Sequence, residues 1–135
     1  MRISEIAEAL ELDTVTAVAE DREVTGVYAC DFLSRVMSCC GAGNIWITVQ
    51  THLNVLAVAE LNDAACIIVP EGISPGSATV ERALEKGIAI LSSKLPTYEL
   101  CWRLHTILRH KELPSSDQHM KFNDSSPGRG KLWLL

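Results

Sequence analysis

The sequence is short of the features that make chemistry legible. Lys and Arg number 12 against 17 Asp and Glu, a net charge of 12 − 17 = −5. It therefore lacks the basic excess on which sequence-independent nucleic-acid binding depends. No apolar run approaches the roughly 20 residues of a membrane helix. Signal-peptide anatomy is missing, because Glu5, Glu8 and Glu11 interrupt what would be the apolar region after Met1 and Arg2. No Cys-x-x-Cys pair occurs among Cys30, Cys39, Cys40, Cys66 and Cys101. An odd cysteine count without a secretion signal argues against a disulfide framework. These absences predict a cytoplasmic chain that binds neither nucleic acid nor membrane.

Catalytic signatures are missing as well. There is no Gly-x-x-x-x-Gly-Lys-Ser/Thr to cradle phosphates and no His-Glu-x-x-His. His105 and His110 are five apart, which is not a shared helix face. Ser92 and Ser93 lack the Gly-x-Ser-x-Gly elbow. Gly41-Ala42-Gly43 precedes a strand, whereas a dinucleotide fingerprint follows one. We expect no metal, no cofactor and no catalytic residue from these patterns.

What is present is a core. The 135 residues are 47% hydrophobic and 21% charged, enough for one domain. Residues 1–110 hold 8 basic and 14 acidic groups, a net of −6, and residues 111–135 hold 4 and 3, a net of +1. The latter stretch contains Pro114-Ser115-Ser116-Asp117 and Ser125-Ser126-Pro127-Gly128, so a domain over 1–110 with a disordered tail over 111–135 is expected. The apolar end Leu132-Trp133-Leu134-Leu135 is the exception within that tail.

Ile3, Ile6, Ala7 and Leu10 share one helix face, predicting a helix over 4–11 with Ser4 as its N-cap. Strands are predicted over 14–19 and 23–28, forming a first hairpin across Glu20-Asp21-Arg22. A helix over 31–40 should turn Phe32, Val36 and Cys39 inward. Beyond it, strands at 45–49, 66–69 and 88–91 alternate with helices at 53–61, 77–86 and 97–110. Ser77 is the expected cap and Gly87 the expected stop of the middle helix. Strand starts at 45, 66 and 88 are 21 and 22 residues apart. That alternation predicts βα units and a parallel sheet with right-handed crossovers.

The helix over 53–61 is apolar nearly all round, and the last helix carries two apolar stripes, Tyr98-Cys101-His105-Leu108 and Leu100-Leu104-Ile107. Such helices need covering on more than one side. Another helix of the chain or a second subunit could supply that cover, and two such helices in one small domain favour a homodimer.

In open parallel sheets, ligands bind beyond the carboxyl ends of the strands, where helix N-termini present their amides. Thr48, Gln50, Thr51, His52 and Asn54 follow one strand, and Ser92 and Ser93 follow another. These groups suit an anion, a sugar or a nucleotide; the same residues also cap helices and satisfy turns.

Asp21-Arg22-Glu23-Val24-Thr25-Gly26-Val27-Tyr28 resembles the signature of DRTGG domains, with Asp21, Arg22, Thr25 and Gly26 matching and Val27 at the final glycine. Residues 43–52, 85–93 and the helix beginning at Thr97 are similar to the stand-alone members, so the resemblance covers about residues 1–110. DRTGG domains also occur in HPr kinase/phosphorylase, in CBS-domain pyrophosphatases and beside phosphotransacetylase domains. The resemblance implies a single α/β domain, a three-layer α/β/α sandwich with a largely parallel sheet. It implies no activity of its own, since phosphate chemistry in HPr kinase belongs to a separate P-loop domain. Asp21 can accept turn amides and Arg22 can fork to a carboxylate; alternatively, Arg22, Thr25 and Gly26 contact an anionic ligand or a partner.

Taken together, the sequence predicts a non-catalytic regulatory or assembly domain that senses a small anionic metabolite or nucleotide as a homodimer. The alternatives are an enzyme or enzyme subunit of phosphoryl or carbohydrate metabolism, and a pure module for binding a protein partner.

Overall fold

A computed structural model describes residues 1–112, with side chains described as far as residue 109. The expected tail over 111–135, its apolar end included, therefore lies almost wholly outside the described residues. Two units divide the chain, Met1–Leu104 and His105–Leu135. The first holds the sheet.

The elements run α1 (Ile3–Ala9), β1 (Asp13–Thr16), β2 (Gly26–Ala29), α2 (Leu33–Cys39) and β3 (Asn44–Ile47), then α3 (Asn54–Leu61), β4 (Cys66–Val69), α4 (Ser77–Lys86), β5 (Ile90–Ser92) and α5 (Thr97–Glu112). The five strands form one sheet in the order β1-β5-β4-β3-β2. β2, β3, β4 and β5 pair in parallel, and β1 closes the edge antiparallel to β5. This is the largely parallel α/β sheet expected.

Sequential parallel strands with right-handed crossovers put their connecting helices on one face. That face is filled by Trp46, Ile67, Val69 and Ile90 from the strands and by Val36, Val55, Leu56, Ala59 and Ala83 from α2, α3 and α4. Side chains alternate along each strand, so Ile45, Ile47, Cys66, Ile68 and Leu91, all buried, form the other face. Ile3 and Ile6 of α1 and Leu100 and Leu104 of α5 are buried with them. Helices therefore lie on both faces of the sheet, giving the three-layer sandwich. The central strands are apolar on both sides because both sides are covered.

Several local expectations change. Strands β1 and β2 are not a hairpin: they occupy opposite edges of the sheet. Thr16 holds β1 in place, its Oγ1 donating to Ile88 O and accepting Ile90 N–H, each at 2.7 Å. The N-cap of α1 is Arg2 rather than Ser4, because the Ser4 amide and hydroxyl both go to Asp21, at 2.9 and 2.6 Å. Gly76, with no side-chain bond, precedes α4 in place of the expected Ser77 cap, whereas Gly87 does end that helix in the left-handed region. In α2, Val36 faces inward, but Phe32 and Cys39 are exposed and Cys40 is buried instead. A shorter helix beginning at Leu33 turns its core stripe through Leu33, Val36 and Cys40. α3 finds its cover within the chain: Val55, Leu56, Val58 and Ala59 are buried by the sheet and by the flanking α2 and α4.

Candidate functional site

The expected site residues fall at two opposite ends of the sheet. Parallel pairing aligns Gly26 with Asn44 at the amino ends of β2 and β3, and Thr48 follows their carboxyl ends. Arg22, Thr25 and Gly26 therefore stand at the amino edge, apart from Thr48, Gln50, Thr51, His52, Asn54, Ser92 and Ser93.

At the amino edge every motif side chain is engaged by its own chain. Arg22 forks onto Asp63, Nη1 to Oδ1 at 2.8 Å and Nη2 to Oδ2 at 3.0 Å. The Thr25 hydroxyl meets Ala42 O at 2.7 Å and Asn44 Oδ1 at 3.0 Å. A Cβ on Gly26 would stand 3.0 Å from Asn44 Oδ1, so the glycine allows Asn44 its close approach. Asp21 anchors α1 through Ser4, and those two hydrogen bonds hold its carboxyl below the usual range. An open groove of about 220 Å³ lies here, bounded by Arg22, Glu60, Asp63 and Lys86. Its cations are paired, Lys86 with Glu60 at 2.9 Å and Arg22 with Asp63. The carbonyl ends of α3 and α4 open at the same edge, a field that favours cations over anions.

The carboxyl edge is different. Helices α2 to α5 all begin there, so their amide ends give it the opposite field. Thr48, fully buried, donates its hydroxyl to Asp31 Oδ1 at 2.8 Å, and Val49 N–H donates to the same oxygen at 2.9 Å. The Gln50 side-chain amide donates to Asp31 O, and Gln50 N–H to Thr48 Oγ1. Thr51 O accepts the Thr79 hydroxyl at 2.7 Å. His52 Nδ1 accepts the Asn54 amide at 3.2 Å, which in the neutral ring leaves the proton on Nε2. Thr48, Gln50, Thr51 and His52 thus form one loop leading into Asn54 at the start of α3, braced by Asp31 and Thr79, two residues that no motif marks in the sequence.

Ser92 and Ser93 lie two strands away across β4, about 10 Å at ordinary strand spacing. Ser93 is buried, and its Oγ accepts Leu95 N–H at 3.1 Å. α4 and α5 leave β4 and β5 toward opposite faces, an arrangement that opens a ligand crevice in doubly wound sheets. Here the chain fills it. Glu71 N–H donates to Leu95 O and Gly72 N–H to Ser93 O. The Glu71 carboxylate takes the Thr97 amide and hydroxyl at 2.6 and 2.9 Å, occupying the anion position of α5. Those two bonds hold its carboxyl below the ordinary range.

At this edge Thr51 Oγ1, His52 Nε2, Asn54 Nδ2 and Ser92 Oγ, all able to donate, have no hydrogen-bond partner among the described residues, and the acceptors Gln50 Oε1 and Asn54 Oδ1 are equally unengaged. Donors beside helix amides suit phosphate or carboxylate oxygens. Among the described residues, no hydroxyl or thiol is hydrogen-bonded to His52, and no three His, Cys, Asp or Glu side chains gather as metal ligands. No described helix is long and apolar enough to cross a membrane.

No protein-family model matches the chain, and no curated protein matches it in sequence. Its fold is similar to the crystal structure of the CBS and DRTGG domains of the regulatory region of Clostridium perfringens pyrophosphatase, complexed with the activator diadenosine tetraphosphate. The TM-score is 0.59 at 14% identity, over 73% of this chain and 44% of that one. This chain thus spans less than half of that regulatory region. In fold, the chain is DRTGG-like: a single α/β domain with helices on both faces of its sheet.

Proposed function

We propose that the chain is a non-catalytic regulatory or assembly module that senses a small anionic metabolite or nucleotide and acts as a cytoplasmic homodimer. One observation carries the ligand reading: unengaged donors at Thr51, His52 and Asn54, with Ser92 across the sheet, stand where helix amides raise the potential. The similar regulatory region, complexed with a dinucleotide activator, agrees with it in chemistry. Thr48 and Gln50 position the loop through Asp31, while Ser93 shapes the neighbouring turn. Arg22, Thr25 and Gly26 brace the far edge in this reading and touch no ligand.

Thermal unfolding against nucleotides, diadenosine tetraphosphate, phosphorylated sugars and simple anions tests it. Binding to the native state alone adds about 2.7 kcal/mol at a hundredfold excess over Kd. The expected outcome is a raised midpoint with at least one of these compounds, lost in His52→Ala and Asn54→Ala. Arg22→Ala should lower the starting midpoint yet keep the ligand-induced rise. A flat response to the whole set, or a rise that survives both loop substitutions, refutes the ligand site.

A further inference from the structure

The sheet ends at β2. Its residues Gly26–Ala29 include no charge and no proline, the devices that commonly protect an edge strand from further pairing. In a parallel pair, alternate residues turn their amides to the neighbour. Cys30 N–H goes to Ile47 O of β3, so Val27 and Ala29, on the other phase, present their amides and carbonyls to the outer edge.

Helix α2 flanks this edge. Phe32, Arg35 and Cys39 recur at i, i+3 and i+7 and form one stripe. Phe32 is 70% exposed, and Cys39 is exposed. Tyr28 of β2 joins the stripe to the strand, with its hydroxyl beside Cys39 and Arg35. Core residues Val36 and Cys40 occupy the adjoining face, toward the sheet.

Charge narrows what can cover this surface. Residues 24–43 hold two charges of opposite sign, Asp31 and Arg35, whereas residues 1–110 as a whole sum to 8 − 14 = −6. A two-fold interface sets one patch against its own copy, so a charged patch repels itself and a neutral one does not. The outer face of α5 around Tyr98 and Trp102 is also neutral, through the Arg103–Glu99 pair with Arg103 over the Trp102 ring at 5.4 Å, but it offers no strand edge to pair.

We infer that β2 and α2 form a two-fold interface with a second copy of this chain. β2 pairs antiparallel with its counterpart and continues the sheet across the axis, and Phe32 and Cys39 of the two copies pack beside it. This rests on the homodimer reading above and gives it a surface.

Sedimentation equilibrium of the full chain at micromolar concentration is the test. The expected mass is twice 14.8 kDa, falling to the single-chain mass in Phe32→Glu, whose site is exposed enough that folding is not at stake. A short bis-maleimide should join wild-type copies into a covalent dimer that Cys39→Ser abolishes. A wild-type chain of single mass overturns both the homodimer reading and this interface, and leaves the edge to a strand from a different protein. A dimer that survives Phe32→Glu but is split by Tyr98→Glu overturns this interface alone. Cross-linking that persists in a Cys30→Ser, Cys39→Ser double variant does the same.

Discussion

Gly43 has φ +78°, and a Cβ there would stand 2.9 Å from both Oγ1 and Cγ2 of Thr25. The backbone conformation and the contact act together. Gly87 has φ +70° but nothing within 4 Å of such a Cβ. Gly87→Ala should therefore cost about 1 kcal/mol, the left-handed penalty alone. Gly43→Ala should cost about 2 to 3 kcal/mol, because the Thr25 side chain must also give way. Urea titration of both variants checks this, and equal losses would mean that Thr25 yields freely. The comparison bears on the Asp-Arg-x-x-Thr-Gly series directly. In this chain Arg22 and Thr25 tie the amino edge of β2 to the starts of β3 and β4 through Asn44, Asp63 and the turn at Ala42.

Among elements, two helices are fastened by a carboxylate from elsewhere in the chain. Asp21 receives the Ser4 amide and hydroxyl in the first turn of α1, and Glu71 receives those of Thr97 at the start of α5. Both carboxyls are held below their ordinary values of 3.8 and 4.5 by these bonds. A depressed carboxyl contributes its stability above the unfolded-state value and loses it as pH falls through the lower folded value. Stability should hold from neutral pH down to about pH 5 and then drop on the acid side. Asp21→Asn and Glu71→Gln should each lower the urea midpoint at pH 7 and flatten the decline toward pH 3. An acid decline as steep in the double variant as in the wild type would assign it to other groups.

At the scale of the molecule, Cys66 reports on the integrity of the whole core. It is 1% exposed at the start of the central strand β4, and burial pushes its thiol up to about 12. Cys39 is exposed on α2. Thiolate is the reactive species, so an alkylating reagent at pH 8, at a chain concentration low enough to separate the copies, should modify Cys39 quickly and Cys66 only on global unfolding. Peptide mass spectrometry over time distinguishes the two. Comparable rates would show that the sheet opens locally at β4. A ligand that binds the native state should slow Cys66 further, by the factor by which it shifts the unfolding equilibrium.

The periodicity of residues 45–104 was enough to determine the alternating strands and helices, their parallel pairing and the stop at Gly87, because strand and helix periods are local properties. The short apolar run Cys66-Ile67-Ile68-Val69 is buried at every position, because both faces of the sheet are covered. Tertiary structure alone decided where β1 goes. A tight hairpin with β2 satisfies the same residues locally, but the Thr16 bonds to Ile88 and Ile90 send β1 to the far edge. Tertiary structure also decided which candidate residues share an edge of the sheet. Arg22 and His52 are 30 residues apart, and only the parallel register shows that they stand at opposite ends of the strands. Asp31, Thr79 and Glu71 carried no motif, since a carboxylate or hydroxyl in a turn gains its role only from the amides that folding brings to it.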